Sequence, residues 1–374
     1  MTIRTIWLKA HLYVGLTIAV LLFIVALSGA ALVFEDNIDR ALHPALAYVA
    51  PGDRRLPLQD LVARVRVANP AAQLGSISFP EKPAQSMQIS ARTNQEPMSV
   101  YVNQYTGQIL GNRSGAEREA SLARRIHLLH TRLFAGQIGE WIVGVITALT
   151  LFMAITGLIL WWPRKIFAVM TGASWRRINF DLHNVFGFYA SAVFLFIALT
   201  GMMISFEEVT DPLVARLNAT PLPQPPKQSA VVQGAAPMTV DELAQRAEGA
   251  LPGAFLKSLS ILNGGKGVVL AGMKYPEDRT PGGRSRVFLD QYSGEALAVL
   301  STRTAPLGTR IINLKRSAHT GDIFGAATQA LYFVTCLMLA GQIVTGFFIW
   351  LKRPANVDEK IRPTPRTSAL SRRS

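Results

Sequence analysis

Four apolar runs, at 11–34, 138–162, 183–206 and 327–351, constrain this chain most. Each is long enough to cross a bilayer, which takes about 20 helical residues. Lipid satisfies no open backbone group, so such runs are expected as complete helices. Arg164, Lys165, Arg176 and Arg177 crowd the short connection between the second and third runs. Arg4 and Lys9 precede the first, and Lys352, Arg353, Lys360, Arg362 and Arg366 follow the last. By the positive-inside rule all three regions are expected in the cytoplasm. Arg124, Arg125, Arg132, Lys315 and Arg316 oppose this, but they sit in long loops, which translocate largely regardless of charge. The expected order is a cytoplasmic N-terminus (1–10), a span (11–34), an external module (35–137) and a span (138–162). A cytoplasmic loop (163–182), a span (183–206), a second external module (207–326), a span (327–351) and a cytoplasmic tail (352–374) follow. Gly29-Ala30-Ala31 offers a signal-cleavage site, yet the run before it is too long for a signal core and has an internal twin at 183–206.

Composition agrees with a membrane protein carrying soluble parts, with 49% apolar and 17% charged residues. The net charge of +14 suits a lipid surface or an anionic ligand. No nucleic-acid motif is present in the right context, so no nucleic-acid partner is expected. The single cysteine, Cys336, excludes intrachain disulfides and cysteine-rich metal sites. In the first external segment 86–90 and 98–102 alternate like strands, with Asn103–Gly107 as the turn after them. In the second, 268–271 and 286–290 are strand-like, with a turn at Gln291–Gly294. Helices are expected at 58–68 and 240–250, and 221–226 (PLPQPP) is a stiff linker. The fold class expected is an α-helical membrane bundle of four spans carrying two small α+β modules.

The chain also repeats itself. A shift of 172 places His11 on His183, Gly15 on Gly187, Gly29 on Gly201 and Phe34-Glu35 on Phe206-Glu207. A shift of 189 places His130-Thr131 on His319-Thr320, Thr156-Gly157 on Thr345-Gly346 and Trp161 on Trp350. The unit reads as helix, module, helix, used twice in parallel, with a pseudo-twofold axis along the membrane normal.

That symmetry gives four of the six histidines a partner at its own depth, His11 with His183 and His130 with His319. Ionisable groups at membrane depth are expensive and mark function. Two facing histidines form an axial pair for a haem iron in a helical bundle, whereas a bare zinc or copper ion needs more ligands. Two non-covalent haem b groups are therefore expected, since the chain has no C-x-x-C-H. From His11 to Glu35 a helix rises roughly 36 Å, so two haems would span the bilayer. Gly15 and Gly187, one turn after the inner histidines, clear space for a flat macrocycle or for close helix packing. His127 lies on the same helical face as His130, but its repeat counterpart is Arg316, which favours His130 as the ligand. Arg4 and Arg176 match across the repeat and suit haem propionates or positive-inside anchoring. Trp161 and Trp350 read as interfacial belt residues, and His43, before Pro44, reads as incidental.

The H-x-x-x-G starts at His11 and His183 and the Leu129-His130 before the second span resemble the PepSY-associated transmembrane helix family. So do the Thr156-Gly157…Trp161-Trp162-Pro163 end and the paired strand-turns 100–110 (VYVNQYTGQIL) and 287–297. Asn103 stands where that turn usually carries an acid, which Asp290 keeps. The resemblance implies a bacterial inner-membrane protein with periplasmic modules. Similar proteins reduce ferric siderophores, so a ferric siderophore or other Fe(III) chelate becomes the expected substrate. The 23-residue polar tail carries no flavin domain, so a quinol or a separate cytoplasmic reductase is the expected donor. Two other functions stay open. One is a protease-regulating or interaction protein whose helices are anchors, and the other is a component of an iron-chelate permease.

Overall fold

The computed structural model describes residues 2–220, 226, 228–229, 236–262 and 266–352. The tail from 353 on, with Arg353, Lys360, Arg362 and Arg366, lies outside them, as does most of the proline-rich linker.

Among the described residues four helices are long and apolar enough to cross a membrane: α1 (Ile3–Leu32), α7 (Gly136–Trp161), α8 (Trp175–Ser205) and α12 (Ala326–Leu351). α12 contains its apolar run whole, and α1, α7 and α8 stop one or two residues short of the ends of theirs. α1 and α8 begin eight residues before His11 and His183, so these histidines lie two turns inside their helices. The four close a ring in which α1 touches α7 and α12, and α8 touches the same two. Ile18, Leu22 and Ile146 fill the middle of this bundle, with Val14, Leu149, Met153, Leu339 and Ile343 packed around them.

Between α1 and α7 the chain forms α2 (Glu35–Leu42), α3 (Pro44–Ala47), α4 (Leu58–Ala68), strands β1 (Gln73–Ser78), β2 (Met87–Thr93), β3 (Glu96–Val102) and β4 (Ile109–Ser114), then α5 (Gly115–Ala120) and α6 (Leu122–Arg132). Between α8 and α12 come α9 (Glu207–Leu217), α10 (Val240–Ala250), β5 (Phe255–Ser260), β6 (Val268–Lys274), β7 (Ser285–Asp290), β8 (Ala296–Leu300) and α11 (Leu307–Thr320). The two segments thus pass through a matching series of helix, four strands and helix.

The two expected modules are one domain here. Their strands form a single antiparallel sheet in the order β4-β3-β2-β1-β5-β6-β7-β8. The join is β1 against β5, with Ile77 opposite Leu259 and serines on either side. One face carries Ile77, Ile89, Val100, Leu259, Ala271 and Val287, which pack with Leu61 and Val65 of α4 and Leu243 and Ala247 of α10 in one core. Alternation along a strand leaves the polar residues on the other face. The central strands β1 and β5 and the edge strands β4 and β8 carry little strand signal, because QLGSIS, ILGNRS and FLKSLS mix small and polar residues and ALAVL holds a single β-branched residue.

The halves also cap each other. Pro57 precedes α4 and offers no side-chain oxygen. Asp241 of α10 supplies it instead, its two carboxylate oxygens accepting from Leu58 N and Gln59 N at 2.8 Å each. In return Gln59 Oε1 accepts from Val240 N at 3.4 Å. Exposed helix N-terminal amides are satisfied by such oxygens, with an anion favoured by the helix dipole.

The turn after β3 explains why Asn103 tolerates the place of an acid. Its Oδ1 accepts from Tyr105 N (2.9 Å) and Thr106 N (3.2 Å), as Asp290 Oδ1 accepts from Tyr292 N (2.8 Å) and Ser293 N (3.0 Å). Gly107 and Gly294 then sit at φ +73° and +70°, where a side chain is disfavoured.

Candidate functional site

The four paired histidines occupy four seats of one design. His130 ends α6, which folds back on α1, and its Nδ1 lies 3.0 Å from Val25 O and 3.3 Å from Ser28 Oγ. His319, at the end of α11, has Nδ1 3.0 Å from Ile197 O and 3.4 Å from Thr200 Oγ1 of α8. His183 Nδ1 is 3.0 Å from Gln342 O and 3.2 Å from Thr345 Oγ1 of α12. His11 Nδ1 meets Thr156 Oγ1 of α7 at 2.8 Å. In each case the residue after the hydroxyl is a glycine against which the ring rests. A Cβ added at Gly29, Gly201, Gly346 or Gly157 would stand 2.9, 2.8, 3.0 or 3.4 Å from the Cε1 of its histidine.

The chemistry of such a seat follows from the imidazole. A carbonyl beside Nδ1 accepts a hydrogen bond from the Nδ1–H, which fixes the tautomer and leaves Nε2 as a free acceptor or metal ligand. The sheet-proximal rings of His130 and His319 face each other with centroids 6.3 Å apart and planes tilted by 43°. Two imidazoles bound through one nitrogen each, about 2 Å from a metal between them, place their centroids about 6 Å apart. Burial and the neighbouring His319 push His130 down to about 4, and burial also lowers His319, so both are neutral at physiological pH.

The sheet-distal pair is arranged more openly. His11 and His183 line a cavity of about 530 Å³ between the four helices. That lies within the roughly 300–1,000 Å³ of sites that enclose cofactor-sized ligands. Gly15 and Gly187 are in its wall, and each also admits a neighbour, since a Cβ there would meet Met153 Cε at 2.9 Å or Gln342 Nε2 at 2.5 Å. Arg4 lines the same cavity. Along α1 the two sites are separated by Ile18 and Leu22. His11 and Gly29, at the two seats, are about 27 Å apart along the axis at 1.5 Å per residue, less than the 36 Å expected.

Three residues stand elsewhere than expected. Arg176 is outside the cavity, on the far side of α8, where it donates to Lys352 O beside Trp175 and Phe348. Its helix position matches that of Arg4, but Arg4 faces the bundle interior. Arg164 joins the cavity wall instead, its guanidinium 5.1 Å from the Phe180 ring. In the sequence it looked like one more orientation charge. Trp161 is no interfacial belt residue, being buried, stacked on Phe188 at 4.1 Å and donating to Ile166 O. His127 turns away from the pair, 3.5 Å from Glu35. His43 precedes α3, and its side chain makes no cap hydrogen bond there.

The serine and threonine of each seat were visible in the sequence as Ser28-Gly29, Thr156-Gly157, Thr200-Gly201 and Thr345-Gly346. Their use emerges from the helix pairing. Among the described residues no group of three or more His, Cys, Asp or Glu gathers around one point, so a metal held by protein side chains alone has too few ligands.

A family model described as the PepSY-associated TM region matches residues 8–353. The chain belongs to that family. No curated protein matches it. This PepSY-associated chain is thus a multi-pass membrane protein, and both histidine pairs fall within the matched residues.

Proposed function

We propose that the two halves are copies of one unit, and that the protein is a di-haem electron-transfer protein of the bacterial inner membrane that reduces Fe(III) chelates, such as ferric siderophores, on the periplasmic side. The observation that carries this reading is the 6.3 Å facing of His130 and His319 with each Nδ1 tied to a carbonyl. His11 and His183 would hold a second haem b in the cavity they line, with Arg4 and Arg164 as cations for its carboxylates. Each bound haem would supply a one-electron couple.

The chain's own residues do the remaining work. The carbonyls and hydroxyls of the seats hold each imidazole in the tautomer that presents Nε2. The glycines let the ring approach the neighbouring helix. Ile18, Leu22 and Ile146 keep water out of the bundle between the pairs, which leaves that region at low dielectric. The donor would be a membrane quinol or a separate cytoplasmic reductase. At the periplasmic face reduction would weaken iron's binding by hard oxygen ligands. A mere anchor for an interacting module has no need of four seats of one design.

The test is the absorbance spectrum of protein purified in detergent from haem-replete cells. A Soret band with sharp reduced α-bands at about two haems per chain is expected. Anaerobic addition of a ferric chelate to the reduced protein should restore the oxidised spectrum. Colourless protein would overturn the reading.

A further inference from the structure

At the sheet-distal end of the bundle a second, smaller cavity lies between the start of α8 and the end of α12. Its wall includes Trp175, Arg176 and Asn179 of α8, Phe348 and Ile349 of α12, and Lys352 just beyond. The volume is about 260 Å³, against about 530 Å³ for the cavity of His11 and His183. Phe180 and Ile349 belong to both walls and so part the two spaces. The lining residues are in direct contact. Trp175 meets Phe348 edge to face at 6.5 Å, and Arg176 donates to Lys352 O. Two aromatic rings and two cationic residues thus converge from two helices.

The neighbouring cations have other engagements. Arg177 is held by Asp181 at 2.8 Å, and Arg164 lines the larger cavity against Phe180. Among the described residues neither Arg176 nor Lys352 meets a carboxylate. Ser174 gives α8 no side-chain cap, so the positive end of the helix dipole adds to them. Asn179 in the wall is 4% exposed and donates to Thr345 O at 3.0 Å, while its Oδ1 has no partner. The first half carries other residues at the matching positions. By the shifts of 172 and 189, Asn179 answers to Trp7 and Lys352 to Pro163. Arg4, the match of Arg176, lines the larger cavity. The paired cations therefore belong to one half alone.

A basic pocket between the ends of two spans, edged by aromatic rings, fits an amphiphile with an anionic head. Cofactor-sized ligands take roughly 300–1,000 Å³, so this smaller space suits a headgroup whose acyl chains stay in the bilayer. We propose that Trp175, Arg176, Phe348 and Lys352 seat the headgroup of one anionic phospholipid in the groove between α8 and α12. Its phosphate would lie on the guanidinium and the ammonium, since Arg176 keeps N–H donors beyond the one given to Lys352 O. A zwitterionic lipid brings its own cation to the same place and is disfavoured. The seat is independent of the function proposed above and exists with or without haem. It adjoins the sheet-distal pair, because Asn179 holds Thr345 O and Thr345 Oγ1 lies 3.2 Å from His183 Nδ1.

The test is native mass spectrometry of the full-length protein, delipidated in detergent and titrated with phosphatidylglycerol or phosphatidylcholine. Wild type should retain one phosphatidylglycerol with an affinity about tenfold or more above that for phosphatidylcholine. The double variant Arg176→Gln/Lys352→Gln should weaken phosphatidylglycerol binding by about tenfold or more, since each cation contributes roughly a factor of five. Lys165→Gln should change it by less than about twofold, because that side chain lies at the same end of the bundle but stacks on Trp162. Wild-type affinity should fall with salt, and the double variant's should fall less steeply. Arg176 and Lys352 are exposed, and an unchanged melting temperature shows that the variants fold. Equal retention of the two lipids overturns the proposal, as does equal binding to wild type and double variant. Displacement of the lipid by inorganic phosphate assigns the cations to a free anion and overturns it. Displacement by a short-chain quinone assigns the pocket to a quinone ring and overturns it as well.

Discussion

The two halves of this protein agree inside the bundle and part company on the sheet. In the bundle, each histidine's Nδ1 meets the hydroxyl of a Ser/Thr-Gly pair on a facing helix, at 2.8, 3.3, 3.2 and 3.4 Å for His11, His130, His183 and His319. On the sheet, the first half has Pro97 and Ser99 where the second has Arg284 and Arg286, and Arg118 donates to the Ser99 hydroxyl. Apolar packing explains the contrast. A ring pressed between helices admits one geometry, while the strand positions lie under no common constraint, Ser99 being buried and Arg286 exposed. Under the function proposed above, sameness in the bundle would give two equivalent cofactor seats.

The largest effect should come from breaking a pair. His130→Ala or His319→Ala is expected to remove the sheet-proximal haem alone and lower Soret absorbance by about half. His11→Ala or His183→Ala should remove the other, and the two losses should add in a combined variant. His127→Ala, which only frees Glu35, should leave both. Loss of both haems from any single variant would show that the seats are coupled, against the equivalence argued above. The next effect tests the glycines. Gly29→Ala and Gly201→Ala bring a methyl to within 3 Å of a ring carbon and should displace the histidine, at a strain of about 1–3 kcal/mol. Gly157→Ala, at 3.4 Å, should be tolerated, and haem content read from the spectrum separates the cases.

A smaller effect distinguishes the seats from each other. His11 has Thr156 Oγ1 for its Nδ1, whereas His183 has Gln342 O as well as Thr345 Oγ1. Thr156→Val is thus expected to weaken haem retention by roughly 10–100-fold, in the range of other lost outer-sphere hydrogen bonds. Thr345→Val should cost much less, and equal losses would mean that the carbonyl of Gln342 does not hold its ring.

What could be read in advance followed the same division. The spans and the facing of His130 and His319 were legible because apolar runs and repeat offsets are one-dimensional patterns. The joined sheet was not, because β1 and β5 carry no strong strand pattern and their pairing depends on two segments 182 residues apart meeting at an axis. Arg176 and Arg164 exchanged expected roles for a related reason. Which side of a helix faces the bundle is set by packing near its end, where α8 turns Trp175 and Arg176 toward Phe348 and Lys352.

The least of the expected effects concerns how the halves hold together. Asp241 accepts two amide hydrogen bonds from the start of α4, whereas Gln59 gives α10 one longer bond in return. Since α10 has its own capping box from Thr239 and Glu242, the exchange is unequal. Asp241→Ala removes the side-chain cap that α4 receives and should destabilise the sheet domain by about 0.5–2 kcal/mol. Gln59→Ala should change it by only a few tenths, within the range of an exposed substitution. Differential scanning of the two variants decides the matter. If Gln59→Ala proves as costly as Asp241→Ala, the contact is symmetric in energy though not in geometry, and the two halves are joined by more than one helix cap.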